Sequence, residues 1–245
     1  MKIMFAVLSW NNDFTKTLES IKTSPENIIV CHNTNRSLAG TGYVTMAADS
    51  SVAKAKNSII NRARELGADK LFILEDDIEV IDMSIFDKYI SIMDILNQGV
   101  IFYGYNSTRE NRVYNMPNPS LIVRISPTFG ELYFNRFIVT SCLGFDLAKN
   151  PLLFDEDLKL LEITEYLQRC SDNGVIRTGN GFHVDIPESW KFFNRIEVPN
   201  KRNKTPQMVQ EDRQTLHKKN IQLKLDMIVD TLIVYLKTIN FPEKI

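Results

Sequence analysis

The sequence predicts an α/β fold in which a mostly parallel sheet is flanked by helices, and two features indicate it. Short apolar runs at residues 2–9, 27–31 and 71–74 have the length of buried strands. Segments with a helical spacing of apolar residues lie between these runs, at 14–22 and 51–66. This alternation of strands and helices is typical of parallel sheets, whose ligands collect at the carboxyl ends of the strands.

The two helices of this first half have recognisable ends. Asn12 or Asp13 precedes the helix at 14–22 and can accept hydrogen bonds from its first turn. Gly67 follows the helix at 51–66, and glycine readily takes the left-handed conformation that ends many helices. These signals set the borders between the first three strands.

The rest of the chain has weaker signals. We expect strands at 100–105, 121–125 and 136–140, a helix at 158–170, and a Gly-rich segment with strand-like pieces at 175–185. The basic segment at 191–219 has few large apolar residues, which predicts a mobile loop. The last helical pattern, at 224–239, predicts a C-terminal amphipathic helix that packs on the domain or on a second subunit.

Composition is that of an ordinary globular protein. The 245 residues are 44% hydrophobic and 24% charged, and the formal net charge of -1 argues against a generally basic nucleic-acid binder. Cys31, Cys142 and Cys170 show no CxxC spacing, so we expect neither a zinc site nor a disulfide framework, and a reducing cytosol fits best. The sequence contains no apolar run of about 18 residues, so we expect no membrane span.

The most informative stretch is the acidic end of the third strand. Glu75, Asp76 and Asp77 directly follow the apolar run at 71–74. Three adjacent carboxylates are too costly to bury without partners, so either water or a cation must reach them. A hard divalent ion such as Mg²⁺ or Mn²⁺ prefers carboxylate oxygens and leaves positions open for phosphate. The polar residues after the other two strands, at 9–12 and 32–35, are expected at the same edge of the sheet.

Five motifs follow one another along residues 1 to about 190. They are Ser9-Trp10-Asn11-Asn12 with a helix containing Leu18 and Ile21, the helix at 53–63 with Asn57, the strand at 72–77, Phe154-Asp155-Glu156 followed by Glu162, Glu165, Arg169 and Gly174, and a late His183. In this order they resemble the nucleotide-sugar-dependent glycosyltransferases of the GT-A fold, especially the family-2-like group. Each motif alone is weak, and their order carries the resemblance.

The resemblance implies a fold, a reaction and a domain arrangement. The fold would be of the Rossmann-like GT-A type with a C-terminal helical appendage. The reaction would transfer a sugar from a nucleoside-diphosphate sugar, expected to be a UDP-sugar, to an acceptor hydroxyl with inversion and with Mn²⁺ or Mg²⁺ as cofactor. Residues 1–190 would form the catalytic domain, with a nucleotide-sugar half at 1–100 and an acceptor half at 101–190. Residues 191–245 would form the basic loop and the terminal helix.

The resemblance also implies roles for single residues. Asp77 is the expected direct metal ligand, with Glu75 and His183 completing the set. Glu162 and Glu165 share one helix face and are the catalytic candidates, one of them as general base. The residues expected to contact the donor are Ser9, Trp10, Asn11, Asn33, Asn57, Asp76, Arg195 and Arg202.

Ordinary structural roles remain alternatives for several of these residues. The acids could be solvated surface, His183 and Trp10 could belong to the core, and Asn57 could bond a neighbouring loop instead of the nucleotide. The chain also departs from the family pattern in two places. His32-Asn33-Thr34 stands where an acidic residue often reads uracil, and Ile163 follows the first catalytic glutamate where the family has aspartate, which leaves the identity of the base open.

The acceptor is not specified by the sequence. A glycan, a protein and a modified base in DNA all remain open, the last as in phage-type glycosyltransferases, where the basic stretch from 191 to 224 would contact phosphates. Two other classes also remain as alternatives, a nucleotidyltransferase and a non-catalytic sugar-binding relative. The absence of glycine and lysine from residues 9–12 argues against the former, and the intact acidic cluster argues against the latter.

Overall fold

The computed structural model describes residues 1–48, 51–102, 121–126, 130–135, 142–177, 183–185, 192–199 and 205–223. For residues 102, 121–126, 130–135 and 183–185 it describes the backbone. The predicted strand at 136–140, the predicted helix at 224–239 and Arg202 lie outside the described residues.

The described residues contain eleven strands and five α-helices. The strands are β1 (Ile3–Ser9), β2 (Ile28–His32), β3 (Val44–Ala47), β4 (Lys70–Glu75), β5 (Ile78–Val80), β6 (Val100–Phe102), β7 (Leu121–Ser126), β8 (Gly130–Asn135), β9 (Cys142–Asp146), β10 (His183–Asp185) and β11 (Phe193–Arg195). The helices are α1 (Thr15–Ser20), α2 (Val52–Glu65), α3 (Ser84–Ile95), α4 (Glu162–Asp172) and α5 (Pro206–Lys218).

The central sheet has six strands in the order β3-β2-β1-β4-β9-β6. The first four are parallel to one another, whereas β9 runs antiparallel to both of its neighbours, β4 and β6. The predicted fold class, a mostly parallel sheet flanked by helices, is confirmed. The elements that were not predicted are β3, β5, β8, β9, β11, α3 and α5.

The two faces of the sheet build two separate cores. Alternate residues of β1 divide between them: Phe5 and Val7 pack on one side, and Met4 and Ala6 pack on the other. Helices α1 and α3 cover the first side, while α2 and α4 cover the second. Burial on both faces explains why the strands are continuous apolar runs and not alternating patterns.

Helix α4 begins at the edge of the sheet where the parallel strands end. Because β9 is antiparallel to both β4 and β6, β6 starts at the edge where β4 starts. The amide of Gly99, just before β6, donates a 2.8 Å hydrogen bond to the carbonyl of Val175, just after α4. The end of α4 therefore lies at the amino edge of the sheet. Ile163, Leu167 and Cys170 pack α4 against the sheet, and a helix of this length spans about 16 Å, so its first residue, Glu162, lies toward the carboxyl edge.

The prediction of one mobile loop over 191–219 is wrong in two places. β11 pairs antiparallel with β5, with Arg195 opposite Ile78, and α5 occupies residues 206–218. Thr205 caps α5 by accepting a 3.3 Å bond from the amide of Met208, and Pro206 takes the first helical position, where its missing N–H costs nothing. The domain boundary at residue 190 stays a prediction, although β11 and α5 both contact residues that precede it.

In the part of the chain that the structure describes, no helix combines the length and the apolar character needed to cross a membrane.

A buried ion pair at the amino edge gives a test of stability that is separate from the site. Lys70 Nζ lies 2.7 Å from Asp146 Oδ2, and their side chains are 7% and 6% exposed. Burial opposes the charge on each group, yet hydrogen bonding outweighs it. Asp146 and Asp94 together raise the pKa of Lys70, and Lys70 with Lys149 lowers the pKa of Asp146. We expect Lys70→Met to lower the free energy of unfolding by about 3 kcal/mol at pH 7, measured by urea denaturation.

The matched control is Lys149→Met. Lys149 also lies near Asp146, at 3.3 Å, but is 33% exposed, and its loss should cost less than about 1 kcal/mol. Because the folded-state pKa of Asp146 is lowered, its contribution exists above its unfolded pKa and disappears as pH falls through the folded value. The difference between wild type and Lys70→Met should shrink in acid. Equal losses for the two lysines would contradict the assignment.

Candidate active site

Asp76 joins the ends of β1 and β4. Its Oδ2 accepts three hydrogen bonds, from Ser9 Oγ at 2.8 Å, from the Trp10 amide at 3.2 Å and from Asn12 Nδ2 at 3.0 Å. Ser9, Asn12 and Asp76 are all buried. A buried carboxylate is stable only when it is hydrogen-bonded, so these donors hold the first strand and the acidic turn in a fixed relation. Sequence reasoning gave Ser9 and Asp76 roles at the site and placed Asn12 at the same edge without a role, which only this contact shows.

The turn after β1 also reaches the end of β2. Asn11 has a left-handed φ of 59°, and its amide donates a 2.8 Å hydrogen bond to Asn33 Oδ1. The Trp10 side chain is 44% exposed at this turn, so it is not part of the core. An exposed indole at the carboxyl edge of a parallel sheet is placed to stack on a planar ligand.

Asp77 faces Arg195, which β11 brings to the acidic turn. Asp77 Oδ2 accepts a 3.1 Å bond from Arg195 Nε, and the amide of Ile196 donates to the Asp77 carbonyl at 2.6 Å. Among the described residues, Asp77 Oδ1 is buried and has no hydrogen-bond partner. Burial raises the pKa of Asp77, Arg195 opposes the rise, and Asp76 adds to it. In the described part of the chain, the Arg195 guanidinium therefore lies beside a carboxylate whose second oxygen, Oδ1, accepts no hydrogen bond.

His32 ends β2 beside an aromatic ring and an arginine that sequence reasoning did not name. The His32 ring lies 5.1 Å from that of Phe14, with Nδ1 2.8 Å from Thr34 Oγ1. The Arg36 guanidinium lies over the Phe14 ring, 5.1 Å from its centre, and forms an ion pair with Asp13 at 3.6 Å. Burial, with a smaller effect of Arg36, lowers the pKa of His32, which favours the neutral imidazole.

The two candidate glutamates of α4 have different surroundings. Both are 3% exposed and lie in the first turn of the helix, where the helix dipole favours negative charge. Glu165 makes a two-pronged ion pair with Arg169, at 2.7 Å and 2.8 Å. An arginine bound in this way holds a carboxylate in one orientation. Glu162, at the end nearest the strand ends, is therefore the better placed of the two to accept a proton.

Asn57 binds a neighbouring loop, one of the two roles considered for it. Its Oδ1 accepts from the Phe154 amide at 2.7 Å, and its Nδ2 donates to the Phe154 carbonyl at 3.0 Å and to Glu156 Oε1 at 2.9 Å. The Phe154 ring stacks on Tyr166 of α4 at 4.0 Å. Asn57 thus supports the loop before α4, and we do not carry it into the proposed donor site.

No protein-family model matches the chain, and no curated protein matches it. Among solved structures, residues 1–349 of TarS from S. aureus in complex with UDP-GlcNAc align with a TM-score of 0.57, at 11% identity, over 97% of this chain and 73% of that one. The same TarS fragment solved alone gives a TM-score of 0.54 at 10% identity, covering 96% and 72%. The chain has the GT-A fold.

At this level of identity the likeness concerns the GT-A fold alone. The mannosyltransferase PcManGT from Pyrobaculum calidifontis, solved with GDP-Man and Mn²⁺, also aligns, over 100% of this chain and 76% of that one at 11% identity. Its TM-score of 0.47 is too low to support an argument about this chain.

The acidic turn of this GT-A fold fits a divalent cation in part. Asp77 offers one buried oxygen that accepts no hydrogen bond from the described residues, and the half-buried Glu75 ends β4 two positions earlier in the chain. Over the described side chains, no group of three histidines, cysteines or acids is arranged to hold a metal. The backbone of His183 pairs with Asn135, and its side chain lies outside the description. The set of Glu75, Asp77 and His183 therefore stays a prediction.

Proposed function

We propose that the protein is a glycosyltransferase that moves a sugar from a UDP-sugar to an acceptor hydroxyl with inversion. The observation that carries the proposal is the junction at the carboxyl edge. There Asp76 locks the ends of two parallel strands beside the Asp77–Arg195 pair. TarS, which has the same fold, was solved with UDP-GlcNAc, and this supports a nucleotide-sugar donor.

The donor would lie across this junction. Trp10 offers an exposed ring to the base, and the hydrogen bond from Asn11 to Asn33 joins the two turns at this edge. Arg195 would contribute positive charge to the departing diphosphate. Mn²⁺ or Mg²⁺, bound by Asp77 with Glu75 and His183, would supply further positive charge there. The open Oδ1 of Asp77 supports this assignment.

Glu162 would be the general base. In the proposed step its carboxylate removes the proton of the acceptor hydroxyl as the oxygen attacks the anomeric carbon. The bond from that carbon to the diphosphate oxygen breaks on the opposite face, and the diphosphate leaves with the electron pair. Glu165, held by Arg169, would fix the first turn of α4. The acceptor enters the proposal only as a hydroxyl group.

The setting we propose is the reducing cytosol. All three cysteines are buried, and none forms a disulfide. Disulfides are rare in that compartment, so three reduced thiols in the core are consistent with it.

Thermal unfolding with nucleotides tests the donor site. We expect UDP and UDP-GlcNAc to raise the melting temperature, more strongly with Mn²⁺, because a ligand at a hundred times its Kd stabilises the native state by about 2.7 kcal/mol. AMP is the control nucleotide. No stabilisation by any nucleoside diphosphate or nucleotide sugar would contradict the proposal.

Product analysis separates the reaction classes. A glycosyltransferase incubated with UDP-GlcNAc and Mn²⁺ releases UDP, with slow transfer of the sugar to water when the acceptor is absent. A nucleotidyltransferase would instead exchange pyrophosphate into the nucleotide. Pyrophosphate exchange without UDP release would contradict the proposed reaction.

A further inference from the structure

A buried aspartate of α5 binds the turn that leads into α4. Asp212 is 1% exposed. Its Oδ1 accepts a 2.8 Å hydrogen bond from the amide of Lys159, and its Oδ2 accepts from the amides of Leu160 at 2.6 Å and Leu161 at 2.8 Å. Three consecutive backbone amides thus point at one carboxylate. Charge-assisted bonds of this kind are short and strong, so they fix the path of the chain through residues 159–161.

This turn ends directly at the proposed general base. Leu161 is the N-cap of α4, and its carbonyl accepts the 3.0 Å bond from the Glu165 amide that closes the first helical turn. Glu162 is the next residue. The three amides that Asp212 binds therefore belong to the residues immediately before Glu162, and a displacement of the turn would displace the glutamate.

The ion pairs that join α5 and the residue after it to this region are more exposed than Asp212. Lys159 Nζ pairs with Glu211 at 2.6 Å, and Lys219 Nζ pairs with Asp155 and Asp157, each at 2.7 Å. Exposed pairs add little stability because water and salt screen them. They align α5 along the loop, whereas the buried Asp212 fixes the backbone.

We propose that Asp212 is a positioning residue that holds Glu162 in its working place at the carboxyl edge of the sheet. The inference rests on the proposed function, in which Glu162 is the general base. Asp212 itself binds only backbone amides of its own chain in the contacts described. Asp212 would affect the reaction only by fixing the position of Glu162. A misplacement of a catalytic group by about 1 Å can lower the rate about 10²-fold.

The first test compares three variants by their kcat for UDP release from saturating UDP-GlcNAc with Mn²⁺. Asp212→Ala removes all three acceptors, and we expect kcat to fall by about 30- to 100-fold while UDP affinity changes less than about twofold. Asp212→Asn keeps one oxygen for Leu160 and Leu161 but turns an amide toward Lys159, so its kcat should lie between those of alanine and wild type. Glu211→Gln, the adjacent exposed acid, is the control and should keep wild-type kcat.

The second test asks whether Asp212 acts through Glu162. In a Glu162→Gln background, Asp212→Ala should lower kcat by less than about twofold further, since residues that act as one unit are not additive. If Asp212 only stabilised the fold, Asp212→Ala would lower the melting temperature, and its effect on kcat would be the same with and without Glu162→Gln. All rates are measured at least ten degrees below each variant's melting point, and Asp212→Asn serves alone if the alanine variant does not fold.

The outcomes separate the inference from the function on which it rests. Wild-type kcat in Asp212→Asn and Asp212→Ala, or effects that multiply with that of Glu162→Gln, would overturn the positioning role and leave the glycosyltransferase intact. If the wild-type protein turned over no nucleotide sugar, both the positioning role of Asp212 and the proposed function would be contradicted.

Discussion

Replacing Asp77 by asparagine should abolish sugar transfer and remove the Mn²⁺ dependence of UDP binding. The carboxylate is buried at the strand ends with Oδ2 on Arg195, and the part of the structure described gives Oδ1 no hydrogen-bond partner. An amide has nearly the same shape but no charge, so it is a poor ligand for a hard cation. We expect turnover to fall on the order of 10³-fold, which corresponds to several kcal/mol of charge stabilisation.

UDP binding by calorimetry, with and without Mn²⁺, measures the effect directly. Asp87→Asn is the matched control because it makes the same chemical change at an exposed position of α3. The fold of Asp77→Asn should survive, since burial already disfavours the charged form of this carboxyl, and the unfolding midpoint checks it. If Asp77→Asn binds UDP with unchanged Mn²⁺ dependence, Asp77 is not the metal ligand.

The fold was largely predictable because the strands are buried on both faces. Burial on both sides leaves continuous apolar runs, and helical segments between such runs imply parallel pairing. β9 was not predictable in this way, because its antiparallel position between β4 and β6 is a matter of long-range pairing. Gly144 at its centre shows the constraint: a Cβ there would lie 2.7 Å from Ile101 Cγ2 and 2.8 Å from Phe72 Cε1. That requirement exists only once the three strands are assembled.

Some residues of the site could also be placed from the sequence, and others could not. Ser9 and Asp76 could be placed together from sequence, because the carboxyl ends of adjacent parallel strands meet at one edge. Asn57 contacts Phe154, 97 positions away, and Asp212 contacts Lys159, 53 positions away. Neither contact leaves a local pattern. The cap of α5 was a local signal, Thr205-Pro206 before a helical spacing, and the basic composition of the segment obscured it.

The rate of sugar transfer should fall by about 10²-fold or more in Glu162→Gln, while UDP affinity stays within about twofold of wild type. A general base acts on the proton of the acceptor and makes no contact with the diphosphate, so its loss should appear in kcat and not in donor binding. Glutamine keeps the size of the side chain at this buried position, which limits any effect on packing. Single-turnover transfer and a UDP titration measure the two quantities separately.

Asp172→Asn and Glu165→Gln complete the comparison on the same helix. Asp172 is exposed at the far end of α4, so its loss should leave kcat unchanged. Glu165→Gln breaks the paired bonds to Arg169 and should therefore lower the free energy of unfolding as well as kcat, whereas Glu162→Gln should lower kcat alone. A drop of less than about threefold in Glu162→Gln, together with a larger drop in Glu165→Gln, would move the base to Glu165. The positioning role of Asp212 would then have to be re-examined at Glu165, whose amide closes the same first turn on Leu161.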